Sequence, residues 1–212
     1  MLMMGGTGQL GIYPNGTLQR DTHLLARIRG LLVARGHAVV LVDAPGDRRD
    51  LGGDFRESTE HATDLGAVIT DARKAFGKPV WVVGHSRGTH SAVTAATHLT
   101  GEASPDGIVL VSSILESSRF GGSTAKPLQE SGVGTLRVPV LVLHHKLDSC
   151  QVSPAAKLPE LQALLPPATS RVITYDGGVS RGALCDVNAF HSFNGIEQQL
   201  ADDLSAFVVQ GK

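Results

Sequence analysis

Short apolar segments alternate with amphipathic ones along nearly the whole chain, and this alternation restricts the possible fold more than any other feature. Continuous apolar runs rich in Val are typical of strands buried on both faces, and they occur at residues 2–5, 38–43, 80–84, 107–113, 140–145 and 171–176. Helical spacing of apolar residues predicts helices at residues 21–35, 60–76, 89–99, 154–165 and 195–209. Because strand and helix alternate, we expect an α/β fold with a parallel-dominated sheet of about six strands and helices on both faces.

One long irregular segment, residues 115–137, interrupts this pattern. It is rich in Gly and Ser and contains the sequence FGGSTAKP. The segment is too short for a large helical lid, so we expect a site that is open to solvent. The chain shows no internal repeat and no linker. With 212 residues and 42% hydrophobic content, it is expected to form a single domain over residues 1–212.

The charge balance excludes several classes of partner. The net charge is −1 at pH 7 and the pI is near 6.7. We therefore expect no nucleic-acid partner and no attraction to an anionic membrane. No apolar run approaches the ~18 residues of a membrane span, and the first residues lack the basic and long apolar regions of a signal peptide. Composition gives no prediction of the oligomeric state.

A glycine-rich turn near the N-terminus has two interpretations. Gly6, Gly8 and Gly11 form G-x-G-x-x-G after a predicted strand, which is typical of dinucleotide binding, and Asp43 would then contact a ribose. A NAD(P)-binding oxidoreductase is therefore one hypothesis. Two features oppose it: Pro-Asn-Gly at residues 14–16 stops a helix from following the turn, and Asp43 lies 32 residues beyond Gly11 rather than about 20. The alternative is a tight loop that serves another chemistry.

The sequence PVWVVGHSRGTHSAV points to a different function. It places Gly84-His85-Ser86-Arg87-Gly88 between a predicted strand and a predicted helix, and G-x-S-x-G in that setting is typical of a nucleophilic serine. Both glycine positions need small residues, because side chains there would collide with the neighbouring strand and helix. We therefore predict that Ser86 is a nucleophile at the carboxyl edge of the sheet, beside a helix N-terminus that favours developing negative charge.

A nucleophilic serine needs a base, and the base needs a group that orients it. On a sheet of this kind the three residues follow along the chain in the order serine, acid, histidine. Asp148, in VPVLVLHHKLDSCQVSP, comes just after the fifth predicted strand, and His191, in NAFHSFNGIEQQL, precedes the last predicted helix. We therefore predict that Asp148 is the orienting acid and His191 the base.

These segments resemble the α/β-hydrolase family. GHSRG resembles its nucleophile elbow, HHKLDSCQVSP its H-G-x-x-D-x-x-V-P segment, and FHSF its H-G-F segment, with Ser192 in place of the usual Gly. The resemblance extends from the first strand to the last helix and is nearest to small, exported bacterial hydrolases. It implies a cofactor-independent serine hydrolase that cleaves small carboxylic esters through an acyl-enzyme. Thioesters and lactones stay open as substrates, because the fold does not choose between them.

The resemblance also assigns an oxyanion hole. In this fold the turn after the first strand here supplies one backbone N–H, and the residue after the nucleophile supplies the other. These donors are Gly6 and Arg87, with Thr7 as the alternative to Gly6. Candidate substrate-binding side chains are Thr7, His85, His144 and His145. The histidines and cysteines form no Cys-x-x-Cys unit and no helical His pair at i, i+4, so we predict no metal site.

The two cysteines flank the predicted acid and base. Cys150 lies two residues after Asp148, and Cys185 lies six residues before His191. If the acid and the base meet, the loops that carry them are neighbours, and we expect the two thiols to form a disulfide. Two free buried cysteines are the alternative, which a cytosolic enzyme would favour. A bridge implies an oxidising compartment, so we expect an exported protein although no signal peptide is visible.

Overall fold

The computed structural model describes residues 1–120 and 123–211. Within them the strands are β1 (Leu2–Met3), β2 (Leu41–Val42), β3 (Trp81–His85), β4 (Gly107–Val111), β5 (Ser118–Phe120), β6 (Ser123–Ala125), β7 (Val140–His145) and β8 (Ser170–Tyr175). The α-helices are α1 (Leu24–Ala34), α2 (Gly53–Arg56), α3 (Thr59–Phe76), α4 (Gly88–His98), α5 (Leu158–Leu164) and α6 (Glu197–Gln210). Gly121 and Gly122 of the predicted FGGSTAKP loop lie outside the described residues, as does Lys212.

Six of the strands form one parallel sheet in the order β2-β1-β3-β4-β7-β8. The register aligns Gly84 with Leu110 and Leu110 with Val142 across the three central strands. The carboxyl ends of these strands therefore meet at one edge of the sheet, where ligands bind in open α/β sheets. This arrangement confirms the predicted fold class and the number of strands in the main sheet.

Side chains that alternate along the strands are buried on opposite faces of the sheet. Met3 and Val82 pack in a cluster with α3, α4 and α5, whereas Leu2 and Val83 pack in a second cluster with α1 and α6. Both faces of the central strands are thus covered by helices, which explains why the sequence shows unbroken apolar runs rather than apolar–polar alternation.

The first two strands are shorter than the sequence predicts. β1 ends at Met3 because the chain turns sharply after it, where the N–H of Gly8 donates to the carbonyl oxygen of Gly5 over 3.0 Å. β2 is an edge strand with two paired residues, although the N–H of Leu2 also donates to Val40 over 2.8 Å. At this side of the sheet, the apolar runs in the sequence are therefore longer than the paired strands.

The described part of the segment between β4 and β7 contains regular structure where the sequence predicts an irregular stretch. β5 and β6 pair antiparallel, and single 3₁₀ turns follow at Leu128–Glu130 and Val133–Thr135. Glu57, just after α2, accepts a hydrogen bond from Ser131 over 2.7 Å and pairs with Lys126 over 2.9 Å, which fixes the segment to the body of the protein. In residues 1–120 and 123–211, no helix combines the length and apolarity that crossing a membrane requires.

Candidate active site

Ser86 occupies a strained turn between β3 and α4. Its φ is +54°, a left-handed conformation that is uncommon for a residue other than glycine. Its N–H donates to the carbonyl oxygen of Val111 over 2.9 Å, and its own carbonyl accepts from the N–H and the hydroxyl of Thr89. The backbone is therefore held from both sides, which keeps the side chain at the carboxyl edge of the sheet.

The two glycines around Ser86 are required by packing. A Cβ at Gly84 would lie 2.2 Å from the carbonyl oxygen of Gly88, and a Cβ at Gly88 would lie 2.1 Å from the carbonyl oxygen of Met3. Both distances are far below van der Waals contact. The sequence-based argument that side chains here would strike the helix and the neighbouring strand agrees with these distances.

Asp148 and His191 form a buried pair. The Nδ1 of His191 lies 2.8 Å from the Oδ2 of Asp148, and both side chains are almost completely buried. The second carboxylate oxygen of Asp148 accepts from the backbone N–H of Cys150 over 2.9 Å. Because an ionised carboxylate only accepts hydrogen bonds, Nδ1 of His191 carries the proton and Nε2 is left as the acceptor, the tautomer that a general base needs.

The backbone of His191 is fixed as firmly as its ring. Its carbonyl oxygen accepts from the hydroxyl of Ser112 over 2.8 Å and from Nε2 of His85 over 3.0 Å. Ser112 follows β4 and His85 ends β3, so the loop that carries His191 is attached to two neighbouring strands of the sheet. Burial lowers the pKa of His85 well below its usual range, with the nearby rings of His191 and His23 adding to the effect. His85 therefore stays neutral and acts as a fixed donor.

Ser86 and His191 open onto the same cavity. Its volume is about 240 Å³, and its walls include Gly5, Gly6, Ser86, Cys185, Val187 and His191. A larger groove of about 490 Å³ lies elsewhere, around residues 35–40 and the C-terminal part of α6. Within the described part of the chain, that groove is lined by a single histidine and by no serine, cysteine or carboxylate. The smaller cavity is therefore the one with chemically competent groups.

The turn after β1 lies directly against Ser86. A Cβ at Gly5 would lie 2.8 Å from the Cβ of Ser86, so only glycine permits this approach. Gly6 adopts a φ of +56°, and the space around its Cα is open. Within residues 1–120 and 123–211, the backbone N–H groups of Gly6 and Thr7 have no hydrogen-bond partner, whereas the N–H of Gly5 donates to Nε2 of His23 over 3.2 Å. The turn thus presents two unused donors close to the serine.

Comparison with known proteins assigns the chain to a family. The sequence profile of the alpha/beta hydrolase family matches residues 16–204, which is most of the chain. The protein is an α/β-hydrolase. Comparison with curated protein sequences gives no significant match.

Solved structures of low sequence identity share the α/β-hydrolase fold. A monoacylglycerol lipase of Paleococcus ferrophilus is 14% identical with a TM-score of 0.60, and the match covers 100% of this chain and 93% of the lipase. A Pyrococcus furiosus esterase is 10% identical with a TM-score of 0.63, covering 99% of this chain and 80% of the esterase. A lipase-esterase related protein of Clostridium acetobutylicum is 12% identical with a TM-score of 0.57, and the match covers 85% of this chain and 88% of that protein. At these identities the similarity establishes the fold.

The predicted disulfide is present in the structure of this α/β-hydrolase. Cys150 and Cys185 are bonded, with their Cα atoms 4.7 Å apart. Cys150 is buried next to Asp148, whose carboxylate its N–H contacts, and Cys185 lines the cavity. The bridge therefore connects the loop of the acid to the wall of the site.

The structure does not bring all the candidate substrate-binding residues to the cavity. His144 and His145 are fully buried, and their Nε2 atoms donate to the carbonyl oxygens of Ser153 and Gly177 over 3.1 and 2.9 Å. They are packed in the core because later segments cover the end of β7: His144 contacts the backbone of Ser153, and His145 stacks on Phe190. The hydroxyl of Thr7 accepts from Arg20 over 2.9 Å and is outside the cavity lining, whereas His85 is part of that lining.

The surroundings of the glycine turn differ from those of a dinucleotide site. α1 begins at Leu24, thirteen residues after Gly11, so no helix N-terminus follows the turn. The two carboxylate oxygens of Asp43 accept from the N–H groups of Leu10 and Ile12 over 2.6 and 2.9 Å. Asp43 therefore fixes the loop rather than facing a cavity. Among the described residues, no three histidines, cysteines or carboxylates are arranged to hold a metal ion.

Sequence reasoning missed several residues that support the site. His23 accepts from Gly5, Ser112 holds His191, and Arg27 donates to the carbonyl oxygens of Val187 and Ser192 over 2.7 and 2.8 Å. Arg27 also pairs with Glu197 of α6 over 2.8 Å. These contacts join residues far apart in the chain and carry no local motif, so no pattern in the sequence could have identified them.

Proposed function

We propose that the protein is a serine hydrolase that cleaves small carboxylic esters, with Ser86 as nucleophile, His191 as general base and Asp148 as the orienting acid. One observation carries the proposal: Ser86, at a strained turn, shares a cavity with His191, whose Nδ1 is engaged by a buried carboxylate. Nucleophilic acyl transfer needs these three parts: a strained serine, a base whose acceptor nitrogen is available, and a group that fixes the base.

The reaction follows from these positions. The Oγ of Ser86 attacks the carbonyl carbon of the ester while Nε2 of His191 takes the hydroxyl proton, and Asp148 stabilises the imidazolium. The backbone N–H groups of Gly6 and Arg87 donate to the oxyanion, and each such donor typically contributes about 3 kcal/mol to transition-state stabilisation. The intermediate expels the alcohol, which receives the proton from His191. Water, activated by the same histidine, then releases the acid and regenerates Ser86.

The cavity supports a small substrate. Its volume of about 240 Å³ is below the roughly 300–1,000 Å³ of pockets for drug-sized ligands. Within residues 1–120 and 123–211, the strands β5 and β6 and the turns after them supply no long helix to extend an apolar channel over the site. Short acyl groups therefore fit better than fatty acyl chains. Thioesters and lactones pass through the same tetrahedral intermediate and are the alternative substrates.

A serine-directed fluorophosphonate probe with peptide mapping tests the proposal. We expect the probe to modify Ser86 and the S86A variant to lose nearly all esterase activity while remaining folded. S170A is the matched control, because the Ser170 hydroxyl is buried without a partner among the described residues, at the opposite end of β8 from the site. Modification of another serine, or full activity of S86A, would refute the assignment.

The disulfide bears on the compartment. Bridges of this kind persist in oxidising environments and are rare in the cytosol. We therefore propose that the enzyme acts outside the cytoplasm.

A further inference from the structure

Arg56 is a buried arginine directly behind the glycine turn. Its side chain is fully buried at the end of α2. Nε donates to the carbonyl oxygen of Leu51 over 2.9 Å, Nη1 donates to the hydroxyl of Ser91 over 2.8 Å, and Nη2 donates to the carbonyl oxygen of Met4 over 3.0 Å and to that of Gly6 over 3.4 Å. All four acceptors are neutral.

This arrangement is unusual because a buried charge normally has a charged partner. Among the described residues, no carboxylate lies within ion-pair distance of Arg56. Burial, followed by the charge of Arg87, lowers the pKa of Arg56 to about 9, and the charge of Asp50 opposes this shift. The guanidinium is therefore still cationic at neutral pH. A buried cation without a charged partner is strongly unfavourable in the folded protein. Negative charge that develops next to it reduces this cost.

The hydrogen bonds of the turn show what Arg56 controls. The carbonyl of Gly5 accepts from Gly8 and that of Thr7 accepts from the N–H of Leu51, while Arg56 holds the carbonyls of Met4 and Gly6. Every backbone carbonyl from residue 4 to residue 7 is thus engaged. From Gly5 to Gly8, the N–H groups that have no partner within the described residues are those of Gly6 and Thr7.

Fixing these carbonyls also fixes the direction of the unused N–H groups. In a trans peptide the C=O and the N–H point in opposite directions. The bond from Arg56 to the Gly6 carbonyl therefore turns the N–H of Thr7 away from the buried guanidinium, and the bonds to Met4 and Gly6 hold the intervening Gly5–Gly6 peptide from both sides. Gly6 has no side chain to restrict it and needs this support, because its Cα faces open space at a φ of +56°.

We propose that Arg56 is the positioning residue of the oxyanion turn: it orients the backbone donor at Gly6, with Thr7 as the alternative donor, and places a fixed positive charge behind the turn. This proposal rests on the proposed function of Ser86. Arg56 does not touch the substrate. It acts through the turn and contributes most when the carbonyl oxygen of the substrate becomes negative, since preorganised dipoles and charges stabilise the transition state more than the ground state.

The experiment compares wild type with R56K and R56Q in steady-state hydrolysis of 4-nitrophenyl acetate and in binding of phenylboronic acid, which forms a tetrahedral anionic adduct with an active serine. We expect kcat to fall about 10- to 100-fold with KM changed less than about threefold, and boronate affinity to fall in proportion to kcat. R56K is expected to retain more activity than R56Q, because it keeps a positive charge but lacks the planar fork.

R73Q is the matched control. Arg73 is likewise anchored by backbone carbonyls, those of Glu102 and Ser104, and it pairs with Asp106 over 2.8 Å, away from the cavity. Its kcat and boronate affinity are expected to equal those of wild type. If the Arg56 variants unfold at lower temperature but keep wild-type kcat and boronate affinity, the residue is purely structural and the proposal is overturned.

A measurement on the wild-type protein keeps the proposal testable if the variants do not fold. The guanidinium N–H groups of a fully buried arginine are protected from exchange, and boronate binding is expected to shift their ¹⁵N resonances. No shift on saturation would overturn the proposal. A wild-type protein that neither reacts with the fluorophosphonate at Ser86 nor cleaves esters would instead refute the proposed function itself.

Discussion

The hydroxyl of Ser112 donates to the carbonyl oxygen of His191 over 2.8 Å, so the end of a central strand holds the loop of the proposed base. The adjacent Ser113 is equally buried, yet its hydroxyl has no partner among the described residues. The two neighbouring serines are therefore equally buried but differ in whether their hydroxyl supports His191, and they form a natural pair for mutagenesis.

Replacing Ser112 with alanine should lower kcat about 10-fold, because the imidazole of His191 loses part of the support that aligns it with Ser86. KM should change little, since the hydroxyl is buried away from the substrate. S113A should behave as wild type in a 4-nitrophenyl acetate assay. Equal activities of S112A and S113A would show that His85 alone suffices to hold the His191 carbonyl.

Removing the disulfide should reduce both stability and activity. The bridge closes a loop with a sequence separation of 35 residues, and the chain-entropy model assigns such a loop about 4 kcal/mol of stabilisation. Activity should fall as well, because the N–H of Cys150 contacts Asp148. A thiol titration of denatured, unreduced protein checks the bridge, and thermal unfolding with and without reductant checks its contribution. Two titratable thiols in protein purified from an oxidising compartment would contradict the structure.

The size of the cavity predicts a preference for short acyl chains. In a series of 4-nitrophenyl esters from acetate to octanoate, kcat/KM should be highest for acetate to butyrate and should decline for longer chains, because about 240 Å³ cannot enclose them. Stopped assays below the micellar concentration of each ester provide the measurement. A steady rise in kcat/KM up to octanoate would indicate an apolar channel and a lipase-like specificity.

Acid should destabilise the protein partly through His61. Burial, aided by the charges of Arg56 and Arg48, lowers the pKa of His61 to about 3, while an exposed histidine titrates near 6.5. Between these values the unfolded state binds the proton and the folded state does not, so stability falls as pH falls from about 6.5 toward 3. At pH 5 the loss from this group is about 2 kcal/mol relative to neutral pH.

Urea unfolding of wild type and H61Q at pH 7.5 and pH 5 tests this expectation. Glutamine retains a group that can accept a hydrogen bond from Ser91 but has no proton to gain. H61Q should therefore lose less stability than wild type between the two pH values. An identical loss in both proteins would assign the acid sensitivity to other groups.

The glycine turn should not bind dinucleotides. The carboxylate of Asp43 is engaged by backbone N–H groups of Leu10 and Ile12, so a ribose would have to displace them. Calorimetry with NAD or NADP at millimolar concentration should show no binding heat. Micromolar affinity for either nucleotide would revive the oxidoreductase hypothesis.

The sequence predicted the sheet well because its signals are local. Leu2 and Met3 are adjacent yet face different clusters, and unbroken apolar runs rich in Val are typical of strands covered on both faces. The strained turn at Ser86 was predictable for the same reason, since the two glycines that permit it lie within two residues of the serine.

The parts that sequence could not predict depend on contacts between distant residues. Arg56 reaches Met4 across 52 positions and His23 reaches Gly5 across 18, and neither belongs to a recognisable pattern. His144 and His145 lie four and three residues before Asp148 in the chain, yet the fold buries both. Each donates a hydrogen bond to a backbone carbonyl instead. Proximity in sequence suggested a substrate contact that packing does not provide.

The loop before His191 is anchored at a few points and is exposed between them. Cys185 is bonded to Cys150, and Arg27 holds Val187 and Ser192 on either side of the base, whereas residues 181–184 are exposed. We therefore expect substitutions in the exposed part of this loop to leave the position of the proposed base unchanged. Directed evolution confined to residues 181–184 and 186 would change the surface beside Cys185 and Val187, which line the cavity, while the anchored loop keeps His191 in position.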